Sequence, residues 1–294
     1  MSSAAPDFSS ELHALLGDWL RTRHLTQPLE SIDKNQATPP LEFPARTLSV
    51  LGVSHRGEVI GSIQVDALSD NDWQRQFRPL SDDQVIDGDA SLLALITRLA
   101  RRHWLFVRQA GRIDGFVSRS DLQRPPFRML LFGLISLFEM RLLHLVHRHY
   151  SEAQVVEVLN ASRLQKARRL HNDRKMRGEE LHLTDCLQIA DKRDLLLAVP
   201  HCSASLGFDS NNKATKFFGK VEAIRDRLVH ANDLVAGSSW EEVLQVTLEL
   251  AEFLERTGTG QPVDGSKPGH VRQHAQPTDR EKRQGCEPDT RPGV

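Results

Sequence analysis

The fold is decided by a stretch that reads His103-Trp104-Leu105-Phe106-Val107, then Ala110-Gly111-Arg112, then Ile113-Asp114-Gly115-Phe116-Val117. Its two outer runs are rich in aromatic and β-branched residues, and the short segment between them contains glycine. This pattern predicts two antiparallel strands joined by a hairpin turn. An earlier part of the chain follows the same plan.

That earlier copy predicts a strand at Thr47 to Val53, a turn at Arg56-Gly57-Glu58 and a second strand at Val59 to Val65. Residues of the two copies align at one offset of 54 positions: Val53 with Val107, Gly57 with Gly111, Val59 with Ile113, Gly61 with Gly115 and Leu68 with Leu122. A fixed period that carries strand, glycine turn, strand and glycine indicates a structural duplication.

Further elements flank the second copy. Ser91 to Arg102 has leucine and isoleucine at helical spacing and predicts a helix, with Asp89 or Ser91 as its cap. Gln84 to Ile86 predicts a strand before it, and a short helix is expected from Ser120. The first copy has no clear counterpart of the first helix.

Residues 29–125 resemble a tandem pair of CBS domains, and the second copy is the clearer. Gly115 to Leu122 looks like that family's Gly-x-x-Thr/Ser-x-x-Asp element, whose hydroxyl and carboxylate flank the ribose and phosphate of an adenosine nucleotide. The resemblance implies that Ser118 and Asp121 contact ribose or phosphate, and that the backbone near Leu105 and Phe106 faces adenine. AMP, ADP, ATP or S-adenosylmethionine is the implied regulatory ligand.

The residues themselves supply the chemistry of such a site. A hydroxyl at a strand end and a carboxylate opening a helix can reach ribose hydroxyls, while helical N–H groups favour phosphate. The alternative is that Ser118, Ser120 and Asp121 only cap the helix. The first copy has Gln64 and Ala67 at the equivalent positions, which departs from the pattern, so one nucleotide site per chain is expected.

A second stretch, Ile224 to Asn232, places Arg225, Asp226 and His230 within six residues. Apolar spacing before it predicts that the motif lies in the middle of a helix, with Asp226 and His230 as i,i+4 neighbours. Arg225 can hold an anion, His230 can move a proton near neutral pH, and Asp226 can orient the imidazole or tie down Arg225. These groups suit metal-independent cleavage of a phosphodiester by an internal 2′-hydroxyl. The alternative is a charged helix with a surface Arg and His.

This spacing resembles the Arg-x4-6-His motif of the HEPN superfamily, over about Phe127 to Arg256. Members are small all-α bundles; many dimerise so that two motifs face one cleft, and many are metal-independent endoribonucleases, whereas others are inactive binding domains. The resemblance implies a homodimer with Arg225, Asp226 and His230 as the catalytic group. A Glu in the first helix is common in the family, and Glu139 is our candidate partner for Arg225, with a solvent-facing Glu139 as the alternative.

The other elements follow from apolar spacing, caps and prolines. Phe127 to Tyr150 predicts an apolar core helix, whose charged and histidine positions argue against a membrane span. Further predicted helices are Phe8 to Thr22, Ser151 to Met176, Thr184 to Ala190, Lys192 to Ala198, the motif helix from Lys213, and Trp240 to Arg256. Gln27 to Pro44 and Pro200 to Asn212 are predicted loops.

The helix predicted at Ser151 to Met176 is strongly basic in its second half and just beyond it. Against one acid, Asp173, this stretch carries Arg163, Lys166, Arg168, Arg169, Arg174, Lys175 and Arg177. It predicts RNA phosphate binding, with a solvated helix face as the alternative. His144, His147 and His149 could ligate a metal, but no cysteine or second His pair accompanies them, so no metal site is expected.

Composition narrows the function classes. A net charge of −1 over 294 residues argues against a general polyanion binder, so RNA contact needs a local patch and no DNA partner is expected. Three cysteines without metal spacing fit a reducing compartment. No apolar run reaches membrane-spanning length and the N-terminus is unlike a signal peptide, which predicts a soluble cytoplasmic protein without a membrane partner.

Together these patterns predict an α+β protein in four parts. Residues 1–28 form an amphipathic helix on the CBS module, 29–125 the CBS-domain pair with a degenerate first copy, 126–256 the HEPN-like bundle, and 257–294 a disordered tail. Two functions stay open. One is an adenine-nucleotide sensor coupled to a metal-independent endoribonuclease. The other is a non-catalytic regulatory or scaffold protein that binds nucleotide and protein or RNA partners.

Overall fold

The strands of this computed structural model lie in the N-terminal half and most of its helices in the C-terminal half, so the chain is an α+β protein, as predicted. The structure describes residues 19–36, 50–65 and 73–258. Several predictions lie outside them: the body of the helix from Phe8, the start of the strand from Thr47, and the tail from residue 259 onward. Residues 19–21 are not helical, and Thr22 opens a 3-10 turn.

The described strands form two four-stranded sheets with the orders β2-β3-β4-β5 and β1-β8-β7-β6. Their bounds are β1 (Gln27–Pro28), β2 (Ser31–Asp33), β3 (Val50–His55), β4 (Glu58–Gln64), β5 (Arg78–Pro79), β6 (Val85–Asp87), β7 (Trp104–Gln109) and β8 (Arg112–Ser118). The first two strands fall inside the predicted loop from Gln27 to Pro44, so that prediction was wrong there. Strands of two and three residues carry too little alternation to be recognised.

The predicted duplication is confirmed by the backbone. Adding 54 to the bounds of β2, β3 and β4 gives those of β6, β7 and β8. The β-bulge between Val53 and Ser54 recurs between Val107 and Arg108. Both hairpin turns have two residues with positive φ, Arg56 at 53° and Gly57 at 80° against Ala110 at 48° and Gly111 at 81°. We call residues 31–64 the first repeat and residues 85–118 the second repeat.

Each repeat is completed by a strand that precedes the other. The strand β1 lies before the first repeat but pairs with β8, and β5 lies before the second repeat but pairs with β4. The partners of these added strands are the aligned glycines, Gly115 opposite Pro28 and Gly61 opposite Pro79. A Cβ at Gly115 would overlap the Thr26 methyl, and one at Gly61 would overlap the Arg78 carbonyl oxygen. Both glycines therefore allow the added strand to approach.

The described α-helices, apart from α1, follow the second repeat. Their bounds are α1 (Leu92–Leu99), α2 (Pro125–His149), α3 (Glu152–Val158), α4 (Ala161–Lys175), α5 (Ile189–Ala198), α6 (Cys202–Ser205), α7 (Asn211–Val229) and α8 (Trp240–Gly258). Length and composition would allow α2 to cross a membrane, which is weak evidence because core helices pass the same test. Its buried side packs on α5, α7 and α8.

Some predicted helix bounds were wrong. The long helix from Ser151 to Met176 is two helices, because Leu159 is extended and the Asn160 side chain accepts a hydrogen bond from the Ser162 backbone N–H at 2.9 Å, which caps a new helix. Residues 183–186 are a 3-10 helix ahead of α5, where Thr184 to Ala190 was predicted as one helix. The predicted loop from Pro200 to Asn212 contains α6 and the start of α7.

The hydrophobic core crosses the predicted boundary after Pro125. One cluster contains Leu99, Leu105 and Val107 together with Phe127 and Phe138. The first repeat has a separate small cluster, whose buried members are Ile32, Leu51, Val53 and Ile63. The second repeat and the helices thus share one core. The first repeat has its own cluster, and its Val50 also packs in a third cluster with Val85, Phe106 and Phe116 of the second repeat.

Candidate functional site

The Arg225–His230 motif lies at the C-terminal end of α7 and not in mid-helix as predicted. The helix ends at Val229, and His230 is its cap residue. The Ala231 N–H donates to the Leu228 carbonyl at 3.2 Å, and the Asn232 N–H donates to the Arg227 carbonyl at 2.9 Å. This pair of bonds, with Ala231 at φ 52°, is a Schellman ending. An alanine in the left-handed region costs about 1–2 kcal/mol, so the turn after His230 is held under strain.

Arg225 is fixed by carboxylates from two sides. Its Nε lies 3.0 Å from Glu139 Oε1 on α2, which confirms the predicted partnership. Its Nη1 lies 3.3 Å from Asp226 Oδ1. The side chains of Arg225 and Glu139 are 46% and 33% exposed, so the guanidinium is oriented but open to solvent. A planar, permanently charged guanidinium held in this way can bind a phosphate oxygen with its remaining N–H groups.

Asp226 serves Arg225 and not His230. Of the two roles predicted for Asp226, the ion pair with Arg225 is present. Within residues 19–36, 50–65 and 73–258, no hydrogen bond joins the Asp226 carboxylate to the His230 imidazole. The contact between these residues is the His230 backbone N–H donating to the Asp226 carbonyl at 3.1 Å. The exposed imidazole is therefore oriented by the turn that carries it.

Lys192 belongs to this cluster and was missed in the sequence. It is 5% exposed on α5, which packs between α2 and α7. Burial lowers the pKa of its ammonium, while the charges of Glu139 and two aspartates raise it and that of Arg225 lowers it. Spacing offered a signal, because Lys192 is three residues from the buried positions Ile189 and Leu195.

An apolar stripe runs along the exposed side of α2. Met129, Phe132 and Met140 are 61%, 63% and 53% exposed, and Gly133 and Ser136 lie between them at helical spacing. We call these five residues the α2 stripe. Arg128 next to it donates to the Asn232 carbonyl at 2.6 Å, and Glu139 beside Met140 reaches Arg225. The α2 stripe therefore lies alongside the end of α7 that carries the motif.

Ser118 and Asp121 open the 3-10 helix Arg119–Gln123 as a capping box. The Ser118 N–H and Oγ each donate to Asp121 Oδ2 at 2.8 Å, and Gln27 Nε2 donates to Asp121 Oδ1. The capping alternative is therefore present, and Asp121 is 3% exposed. Ribose binding by these two residues stays a prediction, and it would require Asp121 to exchange one of these partners.

Leu105 and Phe106 are fully buried on β7, the strand between β6 and β8. Phe106 pairs with Val85 on one side and Phe116 on the other, so its backbone belongs to the sheet ladder. Adenine contact by this backbone also stays a prediction. A cavity of about 170 Å³ lies between the two hairpin turns and is lined by Arg108 and Arg112. It is near the opposite end of β8 from Ser118, about 20 Å away by strand length.

The basic stretch is partly neutralised in the structure. Arg163 pairs with Asp191 at 3.1 Å and Asp194 at 2.6 Å, and Arg174 Nε lies 2.8 Å from Glu179. The other cations are exposed and form no ion pair with a described residue: Lys166, Arg168, Arg169, Lys175 and Arg177. The α4 helix has one buried residue, Ala167, so most of its surface faces solvent.

The three histidines of α2 do not act together. His147 Nε2 lies 2.7 Å from Thr184 Oγ1, whereas the pKa values of His144 and His149 are lowered, mainly by burial. No group of three or more potential metal-ligating side chains occurs in the part of the chain that the structure describes. The expectation that there is no metal site stays a prediction.

Comparisons with known proteins give little. No family model matches the chain, and no curated protein matches it. Among solved structures, one similar chain is an uncharacterized conserved protein from Pyrococcus horikoshii, with 17% identity over 35% of this chain and a TM-score of 0.25. The match covers 41% of that protein's length. A likeness at this level carries no argument about fold or function.

Proposed function

We propose that this chain is an adenine-nucleotide sensor of the CBS type coupled to a HEPN-like, metal-independent endoribonuclease. The observation that carries the proposal is the ion pair between Arg225 on α7 and Glu139 on α2. It holds the one motif arginine at the surface with its remaining N–H groups free to meet a phosphate. His230 lies on a strained turn at the end of the same helix.

In the proposed reaction, the imidazole of His230 accepts the proton of an RNA 2′-hydroxyl. The 2′-oxygen forms a bond to phosphorus, and the bond from phosphorus to the 5′-oxygen breaks. A protonated group then gives its proton to the leaving 5′-oxygen, and the products are a 2′,3′-cyclic phosphate end and a 5′-hydroxyl end. Arg225 stabilises the charge that develops on the non-bridging oxygens.

One chain supplies one His230, whereas the reaction needs both a base and an acid. A second copy across a two-fold axis supplies the other, and two-fold dimers are the commonest oligomers. The α2 stripe supports this arrangement, because its apolar side chains lie beside the motif and would bring two motifs together on association. We expect a homodimer by light scattering at micromolar concentration. Phe132→Glu should give a monomer, whereas Leu170→Glu, at an exposed leucine of α4, should not.

The decisive test is cleavage of a structured RNA by the purified protein in EDTA. His230→Ala should lower the rate by about 10²- to 10⁴-fold, and Arg225→Ala should lower it sharply. Asp226→Asn should be mild, because the Asn amide oxygen can still meet Arg225. His182→Ala, at an exposed histidine, and Lys216→Ala, at an exposed lysine of α7, are the matched controls. Undiminished cleavage by His230→Ala would contradict the proposed ribonuclease activity of this motif.

The exposed cations of α4 are the proposed contact for the RNA backbone. They are Lys166, Arg168, Arg169, Lys175 and Arg177. Binding should therefore weaken steeply as salt rises, and removal of Arg168 and Arg169 together should reduce that salt dependence. Arg163→Ala is a poor probe, because Arg163 already pairs with Asp191 and Asp194.

The sensor half is tested by calorimetry with AMP, ADP, ATP and S-adenosylmethionine. One site per chain is expected, lost in Asp121→Ala and kept in Gln64→Ala, the first-repeat counterpart of Ser118. Because Asp121 also caps a helix, Ser118→Ala is the milder second variant. Absence of nucleotide binding by the wild type, or equal binding by Asp121→Ala, would show that the nucleotide site is wrongly assigned.

The alternative is a binding protein without catalysis. One observation favours it: the Arg225 guanidinium already contacts two carboxylates, Glu139 and Asp226, which satisfies its charge within the fold. In that case Arg225→Ala and Glu139→Gln should lower stability alike, and RNA should bind without being cleaved in any nucleotide state.

A further inference from the structure

The turn after His230 is tied to the 3-10 helix Arg119–Gln123 and to α2 by side chains from outside α7. The Leu234 N–H donates to Gln123 Oε1 at 3.2 Å, and Gln123 Nε2 donates to the Asp233 carboxylate. Arg128 Nη2 donates to the Asn232 carbonyl at 2.6 Å. Three consecutive residues, 232 to 234, are thus held by groups that lie next to one another at the start of α2.

Gln123 and Arg128 form one unit. Arg128 donates from Nε to the Gln123 carbonyl at 2.9 Å and from Nη2 to Gln123 Oε1 at 3.1 Å. The Gln123 amide therefore uses its oxygen twice and its nitrogen once. This pattern also assigns the two ends of the amide, since a flipped amide would point its NH₂ at two donors.

Gln123 is the last residue of the 3-10 helix that Ser118 and Asp121 cap. Arg119, 7% exposed in the same helix, donates from Nε to the Leu99 carbonyl at 2.9 Å and pairs with Glu241 at the start of α8. The capping box and Gln123 are therefore the two ends of one short helix that Arg119 anchors. We expect a change in its cap to displace the amide at its other end.

We infer that Gln123 is the positioning residue for His230, and that it links the capping box Ser118–Asp121 to the imidazole. The inference rests on the proposed function only for its effect on catalysis, since the linkage itself is a property of the fold. The imidazole is exposed and makes no side-chain hydrogen bond with a described residue, so its place depends on the backbone turn. Gln123 holds that turn together with Arg128 and with Arg227, which donates to the Leu234 carbonyl at 2.8 Å.

The test is a double-mutant cycle read by the NMR signals of the His230 ring. Asp121→Asn loosens the capping box without any nucleotide, and it should shift the His230 ring resonances in the wild-type background. In Gln123→Met, which has a similar volume but no amide, the same change should have little effect. Gln123→Met alone should speed amide hydrogen exchange at residues 232–235 by roughly tenfold, for the loss of a hydrogen bond.

Gln123→Glu is the second variant. It keeps the acceptor for Leu234 and Arg128 but sets a carboxylate against Asp233, so it should shift the His230 signals in a folded protein. Ser118→Ala serves where Asp121→Asn lowers folding, and Gln165→Met, at an exposed glutamine of α4, is the matched control. An Asp121→Asn shift of equal size in both backgrounds would overturn the linkage, as would unchanged His230 signals in Gln123→Met.

Catalysis gives an independent readout. If the wild type cleaves RNA, Gln123→Met should lower kcat and alter its pH profile while KM stays close to wild type, because the group moved is the proton carrier. If the wild type does not cleave RNA, the proposed enzyme is wrong, and the NMR cycle still decides the linkage. If the wild type cleaves RNA and Gln123→Met cleaves it with the same kcat and pH profile, Gln123 does not position His230 for catalysis.

Discussion

The two repeats have the same backbone and different neighbours. Their strands, β-bulges and positive-φ turns coincide after a shift of 54 residues. Yet Leu105 and Val107 of the second repeat lie in the core shared with the helices, whereas their counterparts Leu51 and Val53 lie in a small separate cluster. The same local pattern therefore occurs once in a repeat that shares its core with the helices and once in a repeat with a small cluster of its own.

The difference follows from what covers each sheet. The second repeat has α1, whose buried residues pack towards α8, and its 3-10 helix leads directly into α2. The first repeat's cluster is completed by the partly buried residues Ile60, Val65 and Phe77, and the first repeat meets the second through Val50, which packs with Phe106 and Phe116. Elements that bury few apolar side chains open at lower free energy than the global unfolding. The first repeat should therefore open before the rest.

The largest expected difference between the two repeats is the effect of replacing an aligned pair of leucines, Leu105 and Leu51, by alanine. Leu105→Ala should lower the free energy of unfolding of the shared core by about 2–5 kcal/mol, since Leu105 is fully buried there. Leu51→Ala, 1% exposed in the small cluster, should destabilise the first repeat and leave the helical transition nearly unchanged. Urea unfolding followed by helical circular dichroism measures both. Equal losses for the two variants would mean that the repeats unfold as one body.

Local patterns predicted this duplication well. Each hairpin has two apolar runs and a glycine turn within a span of fifteen residues, so the pairing of its strands was visible in the sequence. The added strands β1 and β5 were not, because two-residue strands have no period and their partners lie in the other repeat. Leu105 and Phe138 lie in the same core cluster, and this contact between distant parts of the chain could not be predicted from any local sequence pattern.

The sequence likewise predicted some features of the candidate site and not others. Glu139 stood out as a charge among apolar residues, and its pairing with Arg225 was predicted and found. The ending of α7 at Val229 was missed, because Ala231 is an ordinary helix former whose left-handed conformation depends on the bonds that hold residues 232 to 234. Gln123 gave no signal, since a single glutamine after a capping pattern is common.

A smaller effect is expected at the matched glycines. Gly115→Ala would push the Thr26 methyl away and weaken β1 against β8, at a cost of about 1–3 kcal/mol in the main transition. Gly61→Ala would displace Arg78 and the Phe77 ring, which completes the separate cluster, so its cost should stay within the first repeat. Guanidinium midpoints compare them, with Gly219→Ala, where a Cβ meets no atom within 4 Å, as the control. A larger loss of helical stability in Gly61→Ala would reverse the comparison.

The smallest effect is the change of stability with pH, and it too should be confined to the core that the second repeat shares with the helices. Burial raises the pKa of the Cys202 thiol from 9.0 to about 11, whereas residues 31–64 contain no cysteine. Between these values the folded state keeps a proton that the unfolded state has lost, so this stability is full below pH 9 and falls as pH rises towards 11. At pH 10 the loss is on the order of 1 kcal/mol.

Three other groups act in the same range. Burial, and then the charge of Cys202, raise the pKa of the Tyr150 hydroxyl, so its stability contribution also falls as pH rises. Burial also raises the pKa of the Cys186 thiol, whereas it lowers that of Lys192, whose stability contribution therefore changes in the opposite sense as pH rises. The contribution of Cys202 is isolated by comparing wild type with Cys202→Ala from pH 8 to 11. The helical transition of the variant should decline less steeply across this range, whatever its stability at pH 8. Parallel declines would mean that the Cys202 thiolate is as well solvated in the folded chain as in the unfolded one, and that the core around α6 is open to water.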